Sequence, residues 1–229
     1  MAVYALSDLH GNKELFKKVK SFLNKKDTVY FLGDAADRGP DGWDLIKTIY
    51  EDHQFIYCKG NHEDMLVNSI KEFCEMNSKG EDCDLLFYNG GKQTFKAWQK
   101  DGAKKSWATK LENLPAWLAY INMKGQLISM SHAGFTPRPN KFPSHNDLLW
   151  SRDHFLDDWN EEVNNCIIVH GHTPILFLAE DLKIKEEELE PKPLWYCNNK
   201  KVCIDLGAHM TNATTLLNLD TFEYHLFQV

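Results

Sequence analysis

Residues 28–43 read TVYFLGDAADRGPDGW. Thr28 to Leu32 form a short apolar run of strand type, and the run stops at once in Asp34, Asp37 and Arg38. A buried strand can end in charge when that charge faces an ion or a ligand, whereas an unpaired buried carboxylate costs several kcal/mol. The charge at this strand end therefore marks a site, and the question is whether other strand ends share it.

They do. AVYALS stops at Asp8-Leu9-His10-Gly11, and QFIYC stops at Lys59-Gly60-Asn61-His62-Glu63. QLISM stops at Ser131-His132-Ala133-Gly134, and CIIV stops at His170-Gly171-His172-Thr173. The first three runs alternate with helix-like stretches, Lys13 to Asn24, Gly42 to Glu51 and Glu63 to Met76, so they read as β-α-β units. Ligands of such sheets lie beyond the carboxyl ends of the strands, where all five polar loops then converge. Together the loops supply Asp8, His10, Asp34, Asn61, His132 and His172. Carboxylate, imidazole and amide oxygen are the donors that suit a pair of divalent first-row ions. In a strand alternate residues share a face, so Asp8 and His10 can hold one ion together.

Composition bounds the remaining choices. The chain has 229 residues, 43% of them apolar, enough for the core of one domain spanning residues 1–229. A net charge of −7 with no basic cluster argues against nucleic acid as a partner. No apolar run approaches the roughly 18 residues of a membrane span, and Met1 leads directly into a strand-like run, so a soluble, cytoplasmic monomer is expected. Six cysteines without a C-x-x-C pair argue against a disulfide framework or a zinc finger. Residues 178–199 carry Glu180, Asp181, Glu186 to Glu188 and Glu190 with two prolines, and read as a charged surface excursion near the mouth of the site.

The motifs Asp8-Leu9-His10-Gly11, Gly33-Asp34-Ala35-Ala36-Asp37-Arg38-Gly39 and Gly60-Asn61-His62-Glu63, followed by SHAG, LLWSR and GHTP, resemble the phosphoprotein phosphatase family of metallophosphoesterases. The likeness is greatest to its compact bacterial and phage serine/threonine phosphatases. It implies an α/β fold of two packed mixed β-sheets flanked by helices, in four layers. It also implies that Asp8 and His10 hold one metal, that Asp34 bridges, and that Asn61, His132 and His172 complete the second. Arg38 and Arg152 would bind phosphate, with Asn61 and Lys59 beside them. His62 would be the general acid, oriented by Asp37, while a hydroxide bridging two divalent ions attacks phosphorus. Manganese is the expected metal, with iron, zinc, nickel or cobalt as alternatives.

The expected activity is removal of phosphate from phosphoserine or phosphothreonine proteins. The alternative is hydrolysis of dinucleoside polyphosphates such as diadenosine tetraphosphate, whose enzymes share the site but usually carry aspartate where Glu63 stands. A third reading, a metal-bound binding module, conflicts with the complete ligand set. His170 matches no ligand and is expected to be structural. Two departures stand out: Lys59 where the family usually has arginine, and a Gly207–Thr211 loop without the glycine pair common in bacterial members.

Overall fold

The computed structural model describes residues 1–75, 84–138, 140–157, 165–185 and 189–229. Met76, Cys83 and the carboxylates at Glu186 to Glu188 lie outside the described residues.

Two five-stranded sheets pack face to face. The N-terminal half builds the parallel part of the first: β1 (Val3–Leu6), α1 (Lys13–Phe22), β2 (Thr28–Phe31), α2 (Gly42–Glu51), β3 (Phe55–Tyr57) and α3 (Asn61–Glu75). Helices α4 (Asp84–Tyr88), α5 (Lys92–Lys100) and α6 (Ser106–Glu112) follow before the second sheet begins. Strands β1, β2 and β3 are parallel neighbours, as the β-α-β reading requires. Two late strands, β9 (Ala213–Asn218) and β10 (Tyr224–Gln228), return antiparallel on the far side of β1.

The second sheet runs β4 (Trp117–Ile121), β5 (Leu127–Ser131), β6 (Cys166–His170), β8 (Lys201–Cys203) and β7 (Leu194–Tyr196) in spatial order. Its central pairs, β5 with β6 and β6 with β8, are parallel, and its two edges are antiparallel.

The strands read as continuous apolar runs because both of their faces are covered. From β1, Val3 and Ala5 point into the layer between the sheets, where they meet Ile128, Met130, Ile167 and Val169 of the second sheet. Tyr4 and Leu6 point the other way and join Leu15, Phe16, Ile46, Ile49 and Leu66 of the flanking helices. On the outer face of the second sheet, α7 (His145–Leu149) packs Leu148 on Cys166 and Ile168. There α8 (Ile175–Asp181) also packs Ile175 and Leu178 on Tyr196 and Cys203. The four-layer α/β architecture expected from the sequence is the one observed.

Two expectations are corrected. α1 ends at Phe22 rather than Asn24, because Leu23 is already extended and the Asp27 carboxylate takes the Asn24 amide at 2.9 Å. The segment 178–199 is not only a surface excursion. Its first residues belong to α8, where Leu178 and Ala179 are buried, and its end supplies the edge strand β7. Among the described residues no helix is long and apolar enough to cross a membrane.

Candidate metal centre

The polar loops do converge, and the backbone explains how. Beyond the strand ends the first two loops continue to pair: the amides of Asp8, His10 and Gly11 donate to the carbonyls of Gly33, Asp34 and Ala35 at 3.0, 3.0 and 2.8 Å. A β-carbon on Gly33 would lie 2.4 Å from the Gly60 nitrogen, so only glycine lets the second and third loops touch. A β-carbon on Gly171 would lie 2.0 Å from Asp8 Oδ2, so glycine admits the β6 loop from the second sheet. Asp8, His10, Asp34, Asp37, Arg38 and His172 all have positive φ, between 44° and 67°. Side chains rarely adopt this left-handed conformation, and such residues gather at functional sites.

α3 begins two residues earlier than the sequence suggests, and the reason lies in Glu63. Its Oε2 reaches back to accept the Gly60 amide at 2.9 Å, as the third helical residue does in a capping box. The same carboxylate accepts the amides of Asp34 and Ala35 at 2.8 and 3.0 Å and the Tyr57 hydroxyl at 2.9 Å. Glu63 is therefore a buried brace that ties the Asp34 loop to α3 and does not face the cleft. Asn61 and His62 occupy the first turn of α3, and Asp34 Oδ1 accepts the His62 amide at 3.0 Å.

Asp34 stands at the centre of the side chains. His10 Nε2, His62 Nε2 and His132 Nε2 lie 3.6, 3.7 and 3.4 Å from its Oδ2. Two groups of donors form around it, His10 with Asp34 and His62, and Asp8 with Asp34 and His132, each within 4.8 Å. Asn61 Oδ1 lies 2.8 Å from His132 Nε2 and 3.1 Å from His172 Nδ1, and those two nitrogens are 3.2 Å apart. The opposite ring nitrogens donate to backbone carbonyls: His132 Nδ1 to Leu32 at 2.8 Å, His172 Nε2 to Trp150 at 3.2 Å, and His10 Nδ1 to Ala36 at 3.0 Å. Their lone pairs are thus turned inward, the orientation that metal-ligating histidines adopt.

Asn61 Oδ1, His132 Nε2 and His172 Nδ1 then face one another within 3.2 Å, an arrangement of polar atoms that a cation, or a proton on His132, relieves. Electrostatics points the same way. Burial disfavours an imidazolium at His132, yet Asp34 and Asp8 outweigh it and push the group up to about 10. Burial and His132 hold His172 well below its ordinary range, and burial and His62 do so for His10. Burial and the nearby Asp205 raise Asp8 well above the carboxylate range. Asp34 stays well below it despite burial, because His132 and His62 adjoin it. The residues fit a pair of divalent ions shared through Asp34.

The other expected residues divide. His62 Nδ1 donates to Asp37 Oδ2 at 2.7 Å; burial opposes charge on the ring, but Asp34 and Asp37 raise its pKa. Arg38 lies 2.9 Å from His10 Nε2 and 3.4 Å from His62 Nε2, and Arg152 donates through Nε to Thr173 Oγ1 at 3.0 Å. Both arginines line one cleft of about 170 Å³ with Asp34, Asn61, Asn89, Trp150 and His172.

Lys59 does not face that cleft. Its ammonium donates to the Glu112 carbonyl at 2.8 Å and sits 3.8 Å from Asp64, so the expectation that it binds substrate is replaced by a structural role. His170 lies behind the site with its nitrogens on the Gly171 carbonyl at 3.0 Å and the Tyr196 hydroxyl at 2.8 Å.

The sequence reading omitted Asn89, Thr173, Asp205 and His209. Asp205 follows β8 as the other acids follow their strands, so the strand-end rule would have found it; burial pushes it up to about 6. Asn89 precedes Gly90-Gly91, a glycine pair that marks a tight turn, and Arg38 donates its amide to the Gly90 carbonyl at 3.2 Å. His209 comes from the Gly207–Thr211 loop and packs edge-on against His10 at 5.2 Å.

The family profile described as calcineurin-like phosphoesterase matches residues 1–210. The asymmetrical bis(5'-nucleosyl)-tetraphosphatase PrpE of Oceanobacillus iheyensis is 24% identical, across 98% of this chain and 91% of that protein. The symmetrical bis(5'-nucleosyl)-tetraphosphatase of Buchnera aphidicola is 26% identical over 151 residues, 60% of this chain and 46% of that protein, so the chain spans about half of this relative's length. Serine/threonine-protein phosphatase 2 of Escherichia coli is 31% identical over 72 residues, 30% of this chain and 33% of that protein. A solved structure of a candidate diadenosine tetraphosphatase superposes with a TM-score of 0.65 at 16% identity, over 98% of this chain and 92% of that one. This last likeness concerns the fold.

Proposed function

The chain belongs to the calcineurin-like phosphoesterase family, and from that premise we propose that it hydrolyses dinucleoside polyphosphates. The observation that carries this reading is the shape around the cleft. Arg152 also lines a second hollow, with Thr173, and Arg38 also lines a third, with His10. A polyphosphate held by both arginines can therefore extend past the reacting phosphorus, with a hollow adjoining each arginine. The two tetraphosphatase relatives support the same substrate class. Glu63, which weighs toward a protein phosphatase in the sequence reading, is a brace turned away from the cleft and so reads no substrate.

Arg38 and Arg152 hold phosphate oxygens through planar forks that match them. Asp8, His10, Asp34, Asn61, His132 and His172 would hold the ions, which when bound would supply Lewis-acid activation of water and neutralise charge on the phosphoryl group. His62, kept protonated by Asp34 and Asp37, donates its Nε2 proton to the leaving oxygen. Manganese remains the metal of choice for assay.

A protein phosphatase activity, favoured by the Escherichia coli relative, is the second reading. Steady-state rates with manganese on diadenosine tetraphosphate, a phosphothreonine peptide and a phosphotyrosine peptide decide between them. The expected result is a kcat/KM highest for the dinucleotide; a phosphothreonine peptide turned over at a higher kcat/KM would reverse the order.

A further inference from the structure

Resting on the dinucleotide reading, we propose that the hollow beyond Arg152 is a nucleoside subsite with Phe177 as its stacking platform. Among the described residues its wall comes from the 3-10 turn Asp153–Leu156 and from Phe177, Glu180 and Asp181 of α8, with Arg152 and Thr173 beside them. Phe177 is 46% exposed and Leu156 71% exposed, although their neighbours Phe155, Ile175 and Leu178 are buried in the core beneath. The two apolar side chains therefore stand on a rigid base without being needed by it. Phe155 stacks at 23° on His170, which is itself tied to Tyr196, so the floor is fixed.

The occupant follows from charge and continuity. Arg152 belongs both to this hollow and to the catalytic cleft, so a group entering here remains joined to a phosphate held by that arginine. Glu180 and Asp181 at the rim repel a further phosphate but accept hydrogen bonds from ribose hydroxyls and an exocyclic amino group. An aromatic face offers sequence-tolerant stacking to a base. The hollow beyond Arg38 is different, since among the described residues no phenylalanine, tyrosine or tryptophan lines it, and it suits the remainder of the substrate.

The test compares the parent with Phe177→Ala, Phe177→Trp and Leu156→Ala on diadenosine tetraphosphate, p-nitrophenyl phosphate and a phosphothreonine peptide, and measures inhibition by adenosine monophosphate and by inorganic phosphate. Phe177→Ala should raise KM for the dinucleotide and Ki for adenosine monophosphate by about tenfold, the scale of one lost base stack. It should leave p-nitrophenyl phosphate turnover and the phosphate Ki unchanged. Phe177→Trp should restore both constants, and Leu156→Ala should cause a smaller loss in the same direction. If the parent turns over the dinucleotide and the alanine variant matches it, the subsite is wrong and the substrate reading stands. If the parent does not turn over the dinucleotide, both are wrong. A loss confined to the phosphothreonine peptide would assign the hollow to peptide side chains and overturn the proposal.

Discussion

The two sheets contribute to the site in different ways. The loops after β1, β2 and β3 carry Asp8, His10, Asp34, Asp37, Arg38, Asn61 and His62, packed into three short motifs. The second sheet supplies His132 and His172 from separate loops, and Arg152 from the segment after α7. Parallel strands joined by helices put all their carboxyl ends on one edge, so neighbouring loops can interlock through backbone hydrogen bonds before any ion is considered. In the proposed reading a division of labour follows: the first sheet would hold the acid, the bridging carboxylate and one phosphate clamp, while the second would complete the coordination and close the cleft.

The harshest way to break this comparison is to remove the element common to both halves. Exhaustive chelation should abolish activity, and manganese should restore it. Asp34→Asn keeps the shape and the tolerance of asparagine for left-handed backbone, yet should lower kcat/KM by at least about 100-fold, and by more than His172→Asn does. Equal losses in steady-state assays would mean that Asp34 serves one ion only.

Next in size is His62→Asn, for which kcat should fall roughly 10²- to 10⁴-fold on a substrate with a poor leaving group and less on p-nitrophenyl phosphate. Because Asp34 and Asp37 raise the pKa of His62 above its ordinary value of 6.5, the active protonated form should persist above that pH. The rate should then decline as pH rises through the raised value. A pH profile of the variant that keeps the same alkaline limb would assign that limb elsewhere.

Glu63→Gln tests the brace. An amide group would set N–H against the Gly60 and Asp34 amides in one orientation and against the Ala35 amide in the other, so the midpoint of chemical denaturation should fall by the equivalent of about 3 kcal/mol, with kcat reduced as the Asp34 loop loosens. The smallest effect belongs to Lys59→Ala, where the partly buried bond to the Glu112 carbonyl and the ion pair with Asp64 are lost. Stability should drop by about 1 kcal/mol while the Ki of inorganic phosphate stays the same. A weakened phosphate Ki would return Lys59 to the site.

Legibility in the sequence followed the same division. Each first-sheet loop announces itself as an apolar run that ends in charge and glycine, and α2 matches its expected bounds at Gly42 and Glu51. Those features are local. The direction of Lys59 depends on a carbonyl 53 positions away, and nothing beside it in the chain indicates Glu112. Glu63 reads as part of a motif, but the two hydrogen bonds that make it a brace come from Asp34 and Ala35, in a loop that meets it only in the folded chain. The hollow at Phe177 requires α8 to lie beside the turn at Asp153–Leu156, and between them in the chain lies the whole of β6. Asp205 was the legible residue that went unread.

A chemist wishing to move this site into another scaffold would have to transplant conformations rather than side chains. Six of its residues sit in left-handed backbone, at a cost of about 1 kcal/mol or more each, and together these approach the 5 to 15 kcal/mol by which a whole domain is stable. Grafting Asp8, His10, Asp34 and His172 onto ordinary strand ends would aim them differently and yield a surface of the right composition that holds nothing. The interlocked loops, with the glycines that let them touch, are the part that cannot be left behind.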